Sequence, residues 1–158
     1  MRHRGAATLA ALALVLAASG CGSGGGDDRL SKAQYEQRFR SDSQAISEGI
    51  KPLTTKPSSL KQLSDELKVG EKRLHDAAAD LDSTKPPKEI ERDNETVVKG
   101  LDKFADELES FRKAAEKQDV QLLQKTFAEL QGSHALVNVR DATDDMKKKG
   151  YKLGTLAQ

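Results

Sequence analysis

The chain carries a single cysteine, no tryptophan, four prolines and only 4% aromatic residues among its 158 positions. One cysteine excludes an internal disulfide, so no covalent cross-link within the chain braces the fold. With so few aromatic rings, a core has to be assembled mainly from leucine, valine and alanine, a composition that favours packed helices. Charge of one sign is also lacking: the formal net charge is +1, and removing Arg2 and Arg4 from the 26 basic residues leaves 24 against 25 acidic ones. Lysines alternate with aspartate and glutamate along the same segments, and the run Lys147, Lys148, Lys149 directly follows Asp144 and Asp145. That pattern excludes the concentrated basic face of a nucleic-acid binder. No apolar run is long enough to span a bilayer. The longest, 6–18, would rise about 20 Å as a helix, short of the roughly 30 Å hydrocarbon core.

Catalytic motifs are missing as well. No glycine-rich phosphate loop follows a strand, no His-Glu-x-x-His helix is present, and neither a Ser-x-x-Lys nor a Gly-x-Ser-x-Gly nucleophile occurs. The sequence therefore implies no enzyme activity and no cofactor.

What is present begins at the N-terminus. Met1, Arg2, His3 and Arg4 make a positive segment, Ala6 to Ala18 a short apolar one broken only by Thr8, and together they read as an export signal over 1–20. The residues Ala18-Ser19-Gly20-Cys21 resemble the lipobox of bacterial lipoproteins. That family usually has leucine three places before the cysteine, where this chain has Ala18 with Leu16 two places earlier. The resemblance implies cleavage before Cys21 and acylation of its thiol, palmitate included, which would hold the protein at the outer face of the cytoplasmic membrane. Two or three acyl chains anchor stably where one binds only reversibly. The stretch Gly22 to Gly26 also resembles the tethers of lipoproteins from high-GC Gram-positive bacteria. From the residues alone, a thiol flanked by glycine and serine has no sequence neighbours with which to form a pocket; a core thiol, a catalytic thiol and an intermolecular disulfide are the competing roles. Residues 22–28 read as a spacer spanning roughly 15 Å, leaving the domain's orientation free. The expected organisation is a signal over 1–20, a lipidated cysteine and tether over 21–29, and a folded domain over 30–158.

Four helical segments follow. Ser31 with Gln34 makes a capping box, with Leu30 placed as a staple, and Tyr35, Phe39, Ile46 and Ile50 form a stripe that Pro52 ends; Asp42 and Ser43 weaken its middle. Ser58 or Ser59 caps a second helix, in which Leu60, Leu63, Leu67, Leu74, Ala77, Ala78 and Leu81 share a face with Gly70. Pro86-Pro87 is a stiff corner. Lys88 to about Lys117 carries Ile90, Val97, Leu101, Phe104, Leu108, Phe111 and Ala115. Asp119 caps a fourth segment with Val120, Leu123, Phe127, Leu130 and Val137, which Gly132 bends or divides and Gly150 terminates; Ala142 and Met146 extend its face, and Leu153 and Leu156 pack back as a tail. Four stripes joined by short connections predict an antiparallel up-and-down four-helix bundle. The alternative is a three-helix bundle with a loosely attached first helix.

Three polar residues stand out as ligand candidates. His134, four after Leu130 and three before Val137, is expected to point near the core. A bundle cytochrome would pair such a histidine with methionine, but Met146 lies about 18 Å along the same helix and the Cys-x-x-Cys-His attachment motif is absent. His75 sits at the edge of the second stripe and would need carboxylates from other helices to hold a metal. Asn94, between Ile90 and Val97, reads as a register-setting or solvent-edge polar residue; Asn94-Glu95-Thr96 matches a glycosylation sequon that a bacterial-type lipobox argues against. The sequence thus predicts an anchored adaptor or accessory module, with membrane lipid and an envelope protein as partners and no nucleic acid. The other class is a bundle binding a small ligand or metal, its cavity marked by His134, Asn94 and Gly70.

Overall fold

The computed structural model describes residues 28–154, and among them every regular element is helical. Helix α1 spans Lys32–Ile50, α2 Leu60–Asp82, α3 Glu91–Glu116, α4 Val120–Gln131 and α5 Ala135–Lys148, with single 3₁₀ turns at Lys51–Leu53 and Lys88–Ile90. The five helices make four legs, since α4 and α5 together form the last one. The pairings show the antiparallel order. Arg38 meets Asp80 at 3.0 Å and Glu48 meets Arg73 at 2.6 Å between α1 and α2. Arg112 meets Glu71 at 2.9 Å and His75 meets Asp102 at 3.0 Å between α2 and α3. Phe111 stacks obliquely on Phe127, ring centroids 5.5 Å apart, between α3 and α4. The all-α bundle expected from the stripes is the fold.

Local sequence explains the helix ends. Ser31 and Gln34 form the reciprocal capping box, Ser59 accepts from the Gln62 amide at 3.1 Å, and Asp119 accepts from the Leu122 amide at 3.0 Å. Each satisfies a donor that the first turn leaves without a helical partner. At the far end of α5, Gly150 adopts φ +83°, the Tyr151 amide donates to Met146 and the Gly150 amide to Lys147. That is the Schellman arrangement, which glycine enters without steric penalty.

The first three stripes are buried as expected, except that Leu60 and Ile50 are only partly covered. Asp42 and Ser43, the polar interruptions in the α1 stripe, both lie on its buried face. One expectation is corrected. In the fourth leg, Val120 and Val137 are exposed, while Ala135, Val139, Ala142 and Met146 are buried. The cause is the break at Gly132, where α4 ends, and Ser133, whose Oγ accepts from the Ala135 amide at 3.0 Å. A continuous helix would return positions 134 and 137 to the face of Leu130; the break resets the phase so that 135 and 139 face α3 instead.

Two glycine contacts set how closely the legs approach. A Cβ on Gly70 would overlap the carbonyl oxygen of Gly49, so α1 and α2 cross backbone to backbone there. A Cβ on Gly100 would lie 2.5 Å from Val139 Cγ2 and 3.0 Å from the Ala135 oxygen, so α5 seats on α3 at that point.

The base of the bundle is tied at both ends of the described residues. The Leu30 amide donates to Lys85 O at 2.8 Å, Arg29 donates to Pro86 O and pairs with Glu91, each at 3.0 Å, and Asp28 pairs with Lys85 at 3.2 Å. The last residues of the expected spacer are thus held at the α2–α3 corner. After Gly150 the tail reverses and runs along α1: Tyr151 meets Tyr35 edge-on, the Lys152 amide donates to Glu36, and Gly154 lies against Ser43 and Arg40. Leu153 packs on the core as expected; Leu156 lies outside the described residues.

Candidate functional site

Among the described residues, the surface has two grooves of note, one at the α1–α2 connection, away from Leu30, and one at the α4–α5 junction. The wider, about 840 Å³, lies between the end of α1 and the start of α2 and is lined by Glu48, Lys51, Lys56, Asp65 and Arg73. Several of its charges are already matched, Arg73 to Glu48 at 2.6 Å and Lys61 to Asp65 at 2.8 Å. Exposed pairs of this kind are worth little individually, and the charged residues of the lining sum to only +1.

The second groove is apolar. It measures about 380 Å³ and is lined by Leu53 after α1, Phe104 of α3, Phe127 and Leu130 of α4, and Leu136 and Val137 of α5, with Gln131 and Ser133 at its rim. The α4–α5 break builds it. Helix α4 packs on α3 alone, burying only Thr126 and Leu130, and the reset phase of α5 turns Val137 outward. Phe127 and Val137 are consequently 39% and 38% exposed. On a surface otherwise covered by mixed charge, these side chains form an open apolar cleft between the last leg and the α1–α2 connection. Elsewhere on α3, one oxygen of Glu107 is buried without a hydrogen-bond partner.

The ligand candidates read from sequence do not converge here or anywhere else. His134 is exposed at the N-cap of α5 and its ring makes no capping hydrogen bond, a correction to its expected inward orientation that follows from the same break in the helix. His75 is half-buried on the α2–α3 seam, its Nδ1 3.0 Å from Asp102 and its Nε2 3.7 Å from Asp106. Asn94 is buried, not at a solvent edge: its Oδ1 accepts from the Tyr35 hydroxyl at 2.8 Å and its Nδ2 donates to Leu81 O at 3.3 Å. Both polar ends are used, so Asn94 ties α1, α2 and α3 together and offers nothing to a ligand. The Tyr35 hydroxyl also lies 3.6 Å from Met146 Sδ; burial pushes its pKa above the usual tyrosine value, keeping it a neutral donor. Gly70 is the point where α1 and α2 cross. Among the described residues no group of three potential metal ligands gathers, and no helix is long and apolar enough to cross a membrane. Cys21 lies outside the described residues.

The strongest polar cluster is Arg112, whose side chain is only 13% exposed. It donates to Glu71 at 2.9 Å and to Glu116 at 2.7 Å, and hydrogen bonding to Glu71 holds its pKa above the ordinary arginine value. It joins α2 to α3 and belongs to the scaffold.

No family model matches the chain, and neither a curated protein nor a solved structure is significantly similar to it.

Proposed function

We propose that the chain is a lipid-anchored extracytoplasmic lipoprotein that acts without catalysis, as an adaptor or accessory module at the outer face of the cytoplasmic membrane. The observation that carries the contact role is the open apolar cleft at Phe127, Leu136 and Val137 on a surface of otherwise mixed charge. Its shape favours a ridge of side chains, such as one face of an amphipathic helix from an envelope protein, over a small molecule: a ligand pocket covers most of its occupant, and this cleft is open along one side. The anchor rests on Ala18 to Cys21 and the glycines that follow.

Two measurements test the two halves. Radiolabelled palmitate should enter the wild-type protein in its own envelope and be lost in Cys21→Ala; no label in the wild type, under conditions where other lipoproteins are labelled, removes the anchor. For the contact role, a photo-crosslinking residue at Val137 should yield a discrete protein adduct in the native envelope that the same residue at exposed Val69, on α2, does not. Equal patterns at both positions, or a stoichiometric small molecule found by native mass spectrometry of the purified protein, overturn the adaptor reading.

A further inference from the structure

Helix α1 is held firmly at two places and poorly between them. Near its start, Tyr35 is locked by Asn94, Met146 and Tyr151. Near its end, Gly49 lies against Gly70. Between them the buried face carries Asp42, 6% exposed, where the stripe calls for an apolar residue. One of its carboxyl oxygens, Oδ2, is buried without a hydrogen bond. The nearest cation, Arg38 Nε, is 3.7 Å away, and the Nη2 of the same guanidinium is committed to Asp80 of α2 at 3.0 Å. The adjacent Ser43 gives no help, because its hydroxyl donates to Arg40 O at 2.9 Å within α1. The charged and titratable groups facing Asp42 are therefore Arg38 and Tyr35 from its own helix and Asp80 from α2; the tail brings Gly154 against the neighbouring Ser43 and Arg40.

A buried carboxylate so incompletely compensated strongly favours its neutral form. We propose that α1 is a proton-controlled clasp: with Asp42 protonated the helix is seated on α2, and ionisation of Asp42 loosens the stretch from Arg38 to Gly49 while α2 to α5 stay folded. Two observations limit the loosening to α1. The contacts joining α2 to α3, Arg112 with Glu71 and His75 with Asp102, and those joining α3 to α5 at Gly100, do not involve α1. Between Tyr35 and Gly49 the segment is held to α2 by the exposed pairs Arg38–Asp80 and Glu48–Arg73 and by the apolar residues Phe39 and Ile46, while its buried polar residues, Asp42 and Ser43, make no hydrogen bond to another helix. Burial pushes the Asp42 carboxyl up to about 6, Asp80 adding to the effect and Arg38 opposing it, which places the transition between mildly acidic and neutral pH. Opening would uncover the stretch of α2 that α1 crosses between Gly70 and Asp80, which includes the buried Leu74, as a second apolar face available to a partner only above the transition. The inference concerns the folded domain and does not depend on the anchoring proposal.

Native-state hydrogen exchange on the full chain tests it, with rates corrected for the intrinsic pH dependence of exchange. Opening of amides 38–47 should become about tenfold easier between pH 5 and pH 7.5, with amides of α2 and α3 unchanged relative to one another. In Asp42→Asn, which keeps the shape and removes the charge, the α1 amides should lose that dependence. Arg38→Met, at an exposed position and removing the opposing cation, should move the transition to higher pH, and it tests the idea even if the asparagine variant folds poorly. A flat profile in the wild type, a change shared equally by all helices, or an unchanged transition in Arg38→Met overturns the proposal.

Discussion

Asn94 and Tyr35 form a buried polar link among three legs, and the energetics of such links are asymmetric. Replacing Tyr35 by phenylalanine keeps the ring packing but leaves Asn94 Oδ1 buried without a donor, which costs about 1–3 kcal/mol, more than the net worth of an ordinary hydrogen bond. Urea denaturation of Tyr35→Phe should show that loss as a lower midpoint with an unchanged slope. A similar loss, about 1–3 kcal/mol, is expected for Arg112→Met, because Glu71 is then left half-buried beside an apolar side chain. Asn94 was recognisable in the sequence as a polar residue on an apolar stripe; its partner was not. Tyr35 is fifty-nine positions away, and nothing in local periodicity says which aromatic residue across the bundle will supply the donor. The same holds for Arg112, one of many charged residues at helical spacing, distinguished only by what α2 places beside it.

At the scale of the helices, glycine gives opposite predictions at two positions. Alanine is favoured over glycine inside a helix by up to about 1 kcal/mol. At Gly70 that gain is overwhelmed, since the added methyl meets the Gly49 backbone and separates the helices; Gly70→Ala should be destabilising by about 1–3 kcal/mol. At Gly132 the nearest atoms are 3.5 Å and 3.6 Å from a new Cβ and φ is −83°, so Gly132→Ala should be neutral or stabilising by a few tenths of a kcal/mol. Thermal denaturation of the two variants distinguishes a crossing glycine from a boundary one; a loss at Gly132 equal to that at Gly70 would contradict the assignment. The periodic positions of α1, α2 and α3 were legible because each helix is continuous and its caps, Ser31, Ser59 and the proline corner, are local signals. The fourth leg was less so. Sequence marked Gly132 as a bend or a division without choosing between them, and that choice decides whether Val137 or Val139 is buried. The cleft is a product of the break, so the candidate site was the part of the molecule least visible in the sequence.

For the molecule as a whole, pH acts through carboxylates of two kinds. Asp42 is raised to about 6, so its contribution to stability is fully present below its ordinary value of 3.8 and is lost as pH rises through 6. A shift of that size corresponds to about 3 kcal/mol at most. Glu89, Glu95, Glu109 and Asp145 are held below their ordinary values, chiefly by hydrogen bonds from Tyr151, Lys99, Lys113 and Lys148, and their contributions disappear as pH falls through the acid range. Stability should therefore peak between about pH 4 and pH 5, falling on both sides, and Asp42→Asn should flatten the fall toward neutral pH while leaving the acid limb intact. Denaturant midpoints from pH 3 to pH 8 check both limbs.

The tie between Leu30 and the α2–α3 corner has a mechanical consequence. A pull applied through residue 28 does not simply peel α1 from its end, because Arg29 and Leu30 pass part of the load to Lys85, Pro86 and Glu91 before it reaches Ser31. Tension enters two legs at once, and the base gives way only when these bonds are sheared together. A bundle joined to its support by this end keeps the cleft, which lies beyond the corner at the α4–α5 junction, unloaded until the corner fails.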